Sequence, residues 1–182
     1  MSILIPLAQG FEEIEAITII DILRRANLEV ISAALTSNPV EGAHAISVKA
    51  DSEISQIKTE DVTAIVLPGG LPGSTNLRDD ERIISLVQTI YKQGKYVAAI
   101  CAAPIVLGRA GILQNKKVTC FPGMEDQLNG GIYTPDSICV DGKIITGEGP
   151  GCAMDFSLML VKVLTNETIF KQIKEAARVY WG

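Results

Sequence analysis

The sequence predicts an α/β protein with a largely parallel sheet covered by helices on both faces, and three observations carry that expectation. Short apolar runs alternate along the chain with longer amphipathic stretches, the order that strands and crossover helices produce. One run, "TAIVLPGG", is apolar up to a proline and a glycine pair, as suits a strand buried on both faces. The 182 residues are 47% hydrophobic and 20% charged, enough for a substantial core within one domain, residues 1–182.

Taken in order, "ILIPL" (Ile3 to Leu7) reads as a short buried strand. Glu13 to Ala26 follows as a helix, with Ile14, Ile17, Ile20 or Ile19, and Leu23 at helical spacing. "EVISAAL" (Glu29 to Leu35) and "AISVKA" (Ala45 to Ala50) read as the next two strands, and Thr63 to Gly70 as a fourth. Asp79 to Gln93 has a helical pattern, "KYVAAIC" (Lys95 to Cys101) returns as a strand, and Ala102 to Ala110 as a helix. Pro104 is tolerable there because it falls in the first turn. "SICVDGKIITG" reads as a hairpin turning on Asp141-Gly142, followed by helices over Ala153 to Leu164 and Asn166 to Tyr180.

Composition narrows the function classes. With 16 basic and 21 acidic residues the formal charge is −5, and no Lys/Arg cluster offers a track for phosphates, so nucleic acid is not an expected partner. No apolar stretch reaches the roughly 20 residues of a membrane span, and the start "MSILIPLAQG" lacks the marks of a signal peptide. A cytoplasmic protein without a membrane partner is expected. Cys101, Cys120, Cys139 and Cys152 are far apart, form no CxxC pair and have only His44 for company, which favours neither a metal site nor a disulfide framework.

In an open parallel sheet ligands bind beyond the carboxyl ends of the strands, and Cys101 falls at such an end, just before a helix. Backbone N–H groups and the helix dipole there are expected to lower a thiol's pKa below about 8.5. The small residues Ala99, Ala102 and Ala103 permit the sharp strand-turn-helix of a nucleophile elbow. An inert buried cysteine is the alternative. The glycine pair of "LPGG" can leave amides free to face an oxyanion, or be a plain tight turn. Glu12, Glu13 and Glu15 open the first helix, where carboxylates are favoured for stability alone. Glu15 differs in lying between Ile14 and Ala16, a turn before Ile19. That spacing points it inward, where desolvation would keep it protonated and able to donate to a thiolate.

The blocks "GFEEIEAITIIDILRRANLEV", "VLPGGLPG", "VAAICAAPIVLGRAGIL", "NGGIYT" and "GEGPGCAMDFSL" resemble, in order and context, the DJ-one/ThiJ/PfpI superfamily, and most of all its DJ-one and YajL branch. The resemblance spans nearly the whole chain. It implies a flavodoxin-like, Rossmann-like three-layer sandwich, a homodimer and no cofactor. It also implies a reactive cysteine at Cys101, a protonated glutamate at Glu15, and backbone donors at Gly69, Gly70 and Ala102.

The chain also departs from relatives. In the protease-like branch a histidine follows the cysteine; here Ala102 stands there, which argues against peptidase chemistry. Where the animal branch has a "THP" segment, this chain has "TCFPG", with Phe121 in the histidine's place beside Cys120. Cys120 is either a packed bystander or a thiol that resolves an oxidised Cys101. His44 falls where relatives often carry an arginine near the dimer interface and site; its plain alternative is a solvated loop residue. Arg24 and Arg25 match a family pair at the first helix's end, and Arg25 is a candidate to cross the interface. Cys139 and Cys152 read as structural.

The resemblance implies a cofactor-free enzyme acting on methylglyoxal-type 2-oxoaldehydes or their early glycation adducts, with small aldehydes or glycated side chains as partners. An oxidative-stress sensor or redox-regulated chaperone using the same cysteine is the alternative. A non-catalytic scaffold would leave the thiol's position unexplained.

Overall fold

The computed structural model describes residues 2–180. Its elements begin with β1 (Ser2–Leu7), α1 (Glu13–Arg25), β2 (Val30–Ala34), β3 (Val40–Glu41), β4 (Ser47–Val48) and β5 (Ser52–Glu53). They continue with β6 (Val62–Leu67), α2 (Gly73–Arg78), α3 (Glu81–Lys92), β7 (Tyr96–Ile100) and α4 (Pro104–Arg109). The last are β8 (Lys117–Val118), β9 (Ile132–Tyr133), β10 (Ile138–Asp141), β11 (Ile144–Gly147), α5 (Ala153–Leu164) and α6 (Glu167–Ala176).

Seven strands form the central sheet in the order β10, β11, β7, β6, β1, β2, β5, and only β10 runs antiparallel to its neighbour. This is the three-layer α/β architecture that the alternation of elements predicts. Every residue of β1 is buried, because helices cover both faces and leave no reason for an alternating pattern. On one face α2, α3 and α4 pack Leu77, Ile83, Val87, Ile90 and Ile105 against Leu67 and Val97. On the other, α1 and α5 pack Ile19, Leu23, Phe156 and Leu160 against Ile5 and Val66, with α6 lying outside on α5. Among the described residues no helix is long and apolar enough to cross a membrane.

After β1 the chain winds through α1 to β2 on one side; after β6 it winds through α2 and α3 to β7 on the other. The adjacent ends of β1 and β6 therefore mark the switch point of the sheet, where the loops diverge and open a crevice. The end of β7, carrying Cys101, borders that crevice.

Several sequence expectations need correction. "AISVKA" does not add to the sheet: only Ser47 and Val48 are extended, paired antiparallel with β3, because Ala45 takes φ +61° and His44 and Ile46 turn their amides to Glu13. The edge strand is β5 instead. The helix expected over Asp79 to Gln93 is α3, which starts two residues later because Asp80 is extended and caps it by accepting from the Arg82 amide at 2.9 Å; the short α2 before it was not expected. The last helix stops at Ala176, with Arg178 in the left-handed region (φ +56°) soon after.

Candidate active site

The site is made where three loops meet. After β7 the chain turns at Cys101 with φ +63°, a conformation that costs an L residue roughly 1–3 kcal/mol. Two hydrogen bonds hold the turn: the Cys101 amide donates to the Gly147 carbonyl at 2.9 Å, and the Cys101 carbonyl accepts from the Phe121 amide at 2.7 Å. Helical structure begins only at Pro104, so Cys101 stands in the turn itself and not in the first turn of a helix.

Glu15 reaches the sulfur from α1. It is fully buried, and its Oε2 accepts from the Gly69 amide at 2.7 Å, while Oε1 has no hydrogen-bond partner among the described residues. A Cβ at Gly69 would sit 2.6 Å from Cys101 Cβ and 2.6 Å from Glu15 Oε2. Only glycine lets the carboxyl and the cysteine come together there. Gly70 answers a second constraint: it has φ +88°, and a Cβ on it would lie 2.3 Å from the Glu12 amide nitrogen. Its own amide and that of Ala102 donate to the sulfur.

Burial pushes the Glu15 carboxyl up to about 7, helped by Glu12 and opposed by the bonds from Gly69 and Cys101. The expected lowering of the Cys101 thiol is not what this environment does. Burial and the Glu15 carboxylate push it up to about 12, against the pull of the Gly70 and Ala102 amides. Part of that rise belongs to the ionised carboxylate, so it vanishes when Glu15 takes a proton. The two groups thus share one labile proton, with Glu15 poised as the base near neutral pH.

The other residues singled out in the sequence divide. Phe121 lines the pocket of ≈ 330 Å³ over Cys101, together with Leu71, Pro122, Met124, Pro150 and Glu12. The Gly69 amide is committed to Glu15, which leaves Gly70 and Ala102 as the amides beside the sulfur. Cys120 is fully buried in the core on the α2–α4 face, whereas Cys101 belongs to the opposite core, and burial raises the Cys120 thiol to about 11. Arg25 lies on the exposed side of α1, its Nε 2.7 Å from Asp21, and does not line the pocket.

His44 is exposed, and its Nδ1 donates to Glu13 Oε2 at 2.8 Å, which raises its pKa. Although burial pushes Glu13 up, bonds from His44 and nearby amides outweigh it and hold the carboxylate below its usual range. The pair fastens the β3–β4 hairpin to the start of α1. Sequence reasoning passed over Leu71, Met124 and Pro150, and took Glu12 for a helix-start carboxylate only; "LPGGLPG" and "GPG" were the available signals, since both place apolar residues in loops at strand ends.

The model of the DJ-1/PfpI family matches residues 1–163. The chain belongs to the DJ-1/PfpI family. Among DJ-1/PfpI relatives, it is 35% identical over 180 residues to protein dj-1beta of Drosophila melanogaster, covering 97% of this chain and 95% of that one. It is 35% identical over 164 residues to the glutathione-independent glyoxalase DJR-1.2 of Caenorhabditis elegans, covering 89% and 87%. With protein DJ-1 homolog B of Arabidopsis thaliana it shares 38% identity over 165 residues, 89% of this chain but only 38% of that longer protein. A solved structure of Toxoplasma gondii DJ-1, described as oxidized, superposes with a TM-score of 0.94 at 38% identity over 99% of each chain. Drosophila melanogaster DJ-1beta gives 0.95 at 33% identity over the whole of both chains.

Proposed function

We propose that this DJ-1/PfpI protein is a cofactor-free enzyme that converts methylglyoxal-type 2-oxoaldehydes, or their early adducts on thiols and amines, to 2-hydroxyacids. The observation that carries the reading is the pairing of Glu15, raised to about 7, with Cys101 at the floor of an open pocket. A carboxylate of that basicity is suited to accept a thiol proton at neutral pH. Its relative DJR-1.2 is named a glutathione-independent glyoxalase.

In this reading Glu15 takes the thiol proton as the sulfur attacks the aldehyde carbon, forming a C–S bond. The aldehyde oxygen gains negative charge beside the Gly70 and Ala102 amides and is protonated. Glu15 then moves the proton from C1 to C2 while the hydroxyl proton passes from the C1 oxygen to the C2 oxygen. C1 is thereby oxidised to a thioester and C2 reduced to an alcohol. Water cleaves the thioester, returning the thiol and releasing the hydroxyacid, lactate in the case of methylglyoxal. From an adduct, the unmodified thiol or amine is the second product.

The test is incubation of the purified protein with methylglyoxal while lactate is followed, beside Cys101→Ala. Lactate from the parent alone supports the reading; lactate from both proteins or from neither overturns it.

The same sulfur supports a second reading, an oxidative-stress sensor or redox-regulated chaperone. Two amides directed at Cys101 would also hold the oxygens of a sulfinate, and the similar Toxoplasma gondii protein has a structure described as oxidized. Mild peroxide should then modify Cys101 before the more deeply buried Cys120. A homodimer belongs to the proposal as well: Ile14, Ile17 and Ile46 are exposed around the first turns of α1, an apolar patch that wants cover.

A further inference from the structure

The pocket over Cys101 has a chemical bias that bears on which aldehyde enters it. Leu71 is 49% exposed and Phe121 44% exposed, and with Pro122, Met124 and Pro150 they make its walls apolar. Phe121 is held in place at both ends: its amide donates to the Cys101 carbonyl at 2.7 Å, and its ring lies against Gly149, where a Cβ would come within 3.4 Å of Cδ2.

Phe121, Pro122 and Pro150 also border a second pocket of ≈ 470 Å³, which Glu148 and Asp155 line as well. Phe121, with Pro122 and Pro150, is thus part of the wall shared by an apolar chamber at the nucleophile and an acidic one beside it. Among the described residues no Lys, Arg or His lines either pocket, while Glu12, Glu148 and Asp155 contribute three carboxylates. A carboxylate tail on the substrate, away from the Gly70 and Ala102 amides at the sulfur, would meet like charge and no cationic side chain.

We propose that the Cys101 pocket selects 2-oxoaldehydes whose second substituent is uncharged and apolar, alkyl or aryl, and rejects those bearing a carboxylate, with Phe121 as the specificity-determining side chain. The proposal rests on the aldehyde-processing reading for its chemistry, but the selection is a property of the pocket. The aryl or alkyl group stacks on Phe121 and Leu71 and shields the sulfur from water, while the reacting carbonyls face Cys101 and Glu15.

Two measurements test this, the second independent of turnover. The first compares kcat/KM for phenylglyoxal, methylglyoxal and 4,5-dioxopentanoate, a 2-oxoaldehyde with a carboxylate tail. The parent is expected to favour phenylglyoxal over methylglyoxal by about tenfold or more and to disfavour dioxopentanoate by a similar factor, the scale of a pocket filled or left empty. Phe121→Ala and the shape-conserving, polar Phe121→His should each erode the phenylglyoxal preference. The second measures alkylation of Cys101 by iodoacetanilide and iodoacetate, each normalised to free N-acetylcysteine; the anilide should be favoured by at least tenfold.

If no aldehyde is turned over but the labelling preference holds and falls in the Phe121 variants, the catalytic reading fails and the pocket's selectivity stands. Equal labelling by the two reagents overturns the selectivity. So does turnover of dioxopentanoate as fast as phenylglyoxal, which would reveal a cation at the pocket.

Discussion

Replacing Glu15 by glutamine should make the protein's stability depend less on pH. In the folded protein burial raises this carboxyl from 4.5 to about 7. Below pH 4.5 it is protonated whether the chain is folded or not, and its burial carries no charge penalty. As the pH rises, the unfolded chain releases the proton while the folded one retains it, and stability falls until the folded group also ionises near 7. At about 1.4 kcal/mol for each tenfold change in proton affinity, the loss is about 3 kcal/mol by pH 8. Glutamine keeps the shape and titrates nowhere in this range. The difference in Tm between variant and parent should therefore move in the variant's favour by about 6–12 °C between pH 4.5 and pH 8, using about 2–4 °C per kcal/mol for a chain of this size. Thermal unfolding followed by circular dichroism at the two pH values reads it directly. Titrations elsewhere are common to both proteins and cancel. The same Tm offset at both pH values would refute the claim that Glu15 is a buried, high-pKa acid.

The pH profile of Cys101 alkylation should show an inflection near 7 in the parent, where Glu15 ionises, and lose it in Glu15→Gln, whose thiol, freed of the carboxylate that pushes it up, should label faster above pH 7; an inflection that persists would belong to another group. Gly69→Ala should abolish lactate formation and lower stability by about 1–3 kcal/mol, because its methyl would clash with both Cys101 Cβ and the Glu15 carboxylate and force them apart; full activity would show that the carboxyl and thiol need not touch. Light scattering at micromolar concentration should give twice the mass of the 19.5 kDa chain for the parent and a shift toward one chain for Ile17→Glu; a monomeric parent would refute the dimer.

What was legible in the sequence followed from patterns that local chemistry controls. Cys101 stood out because an apolar run ended on it before a helix-permitting "AAP", and Glu15 because it sat among apolar neighbours at a helix start. The extended span expected over Ala45 to Ala50 failed because the Ile46 amide within it and the His44 amide just before it bond the Glu13 carboxylate, 33 and 31 residues earlier, a partner that no local window contains. The direction of the thiol's shift was misread for a related reason. A strand end and a nearby helix are visible locally, but the depth of burial and the approach of Glu15 depend on how α1 lies over the sheet. Gly69 read as a donor because it is half of a glycine pair; only the packed structure gives its amide to Glu15 and its missing side chain to the space between the two reacting groups.

The backbone of Cys101 has a consequence for how this protein trades robustness for chemistry. Its φ of +63° is one that glycine adopts freely and cysteine does not, and the bonds to Gly147 and Phe121 keep it from relaxing. The elbow is therefore a loaded position, where the residue that makes the site useful is among the less comfortable choices for the chain. Glycine, which has no Cβ, would ease the turn while silencing it. A selection for thermostability alone, with no demand for activity, would drift at this residue toward loss of the thiol.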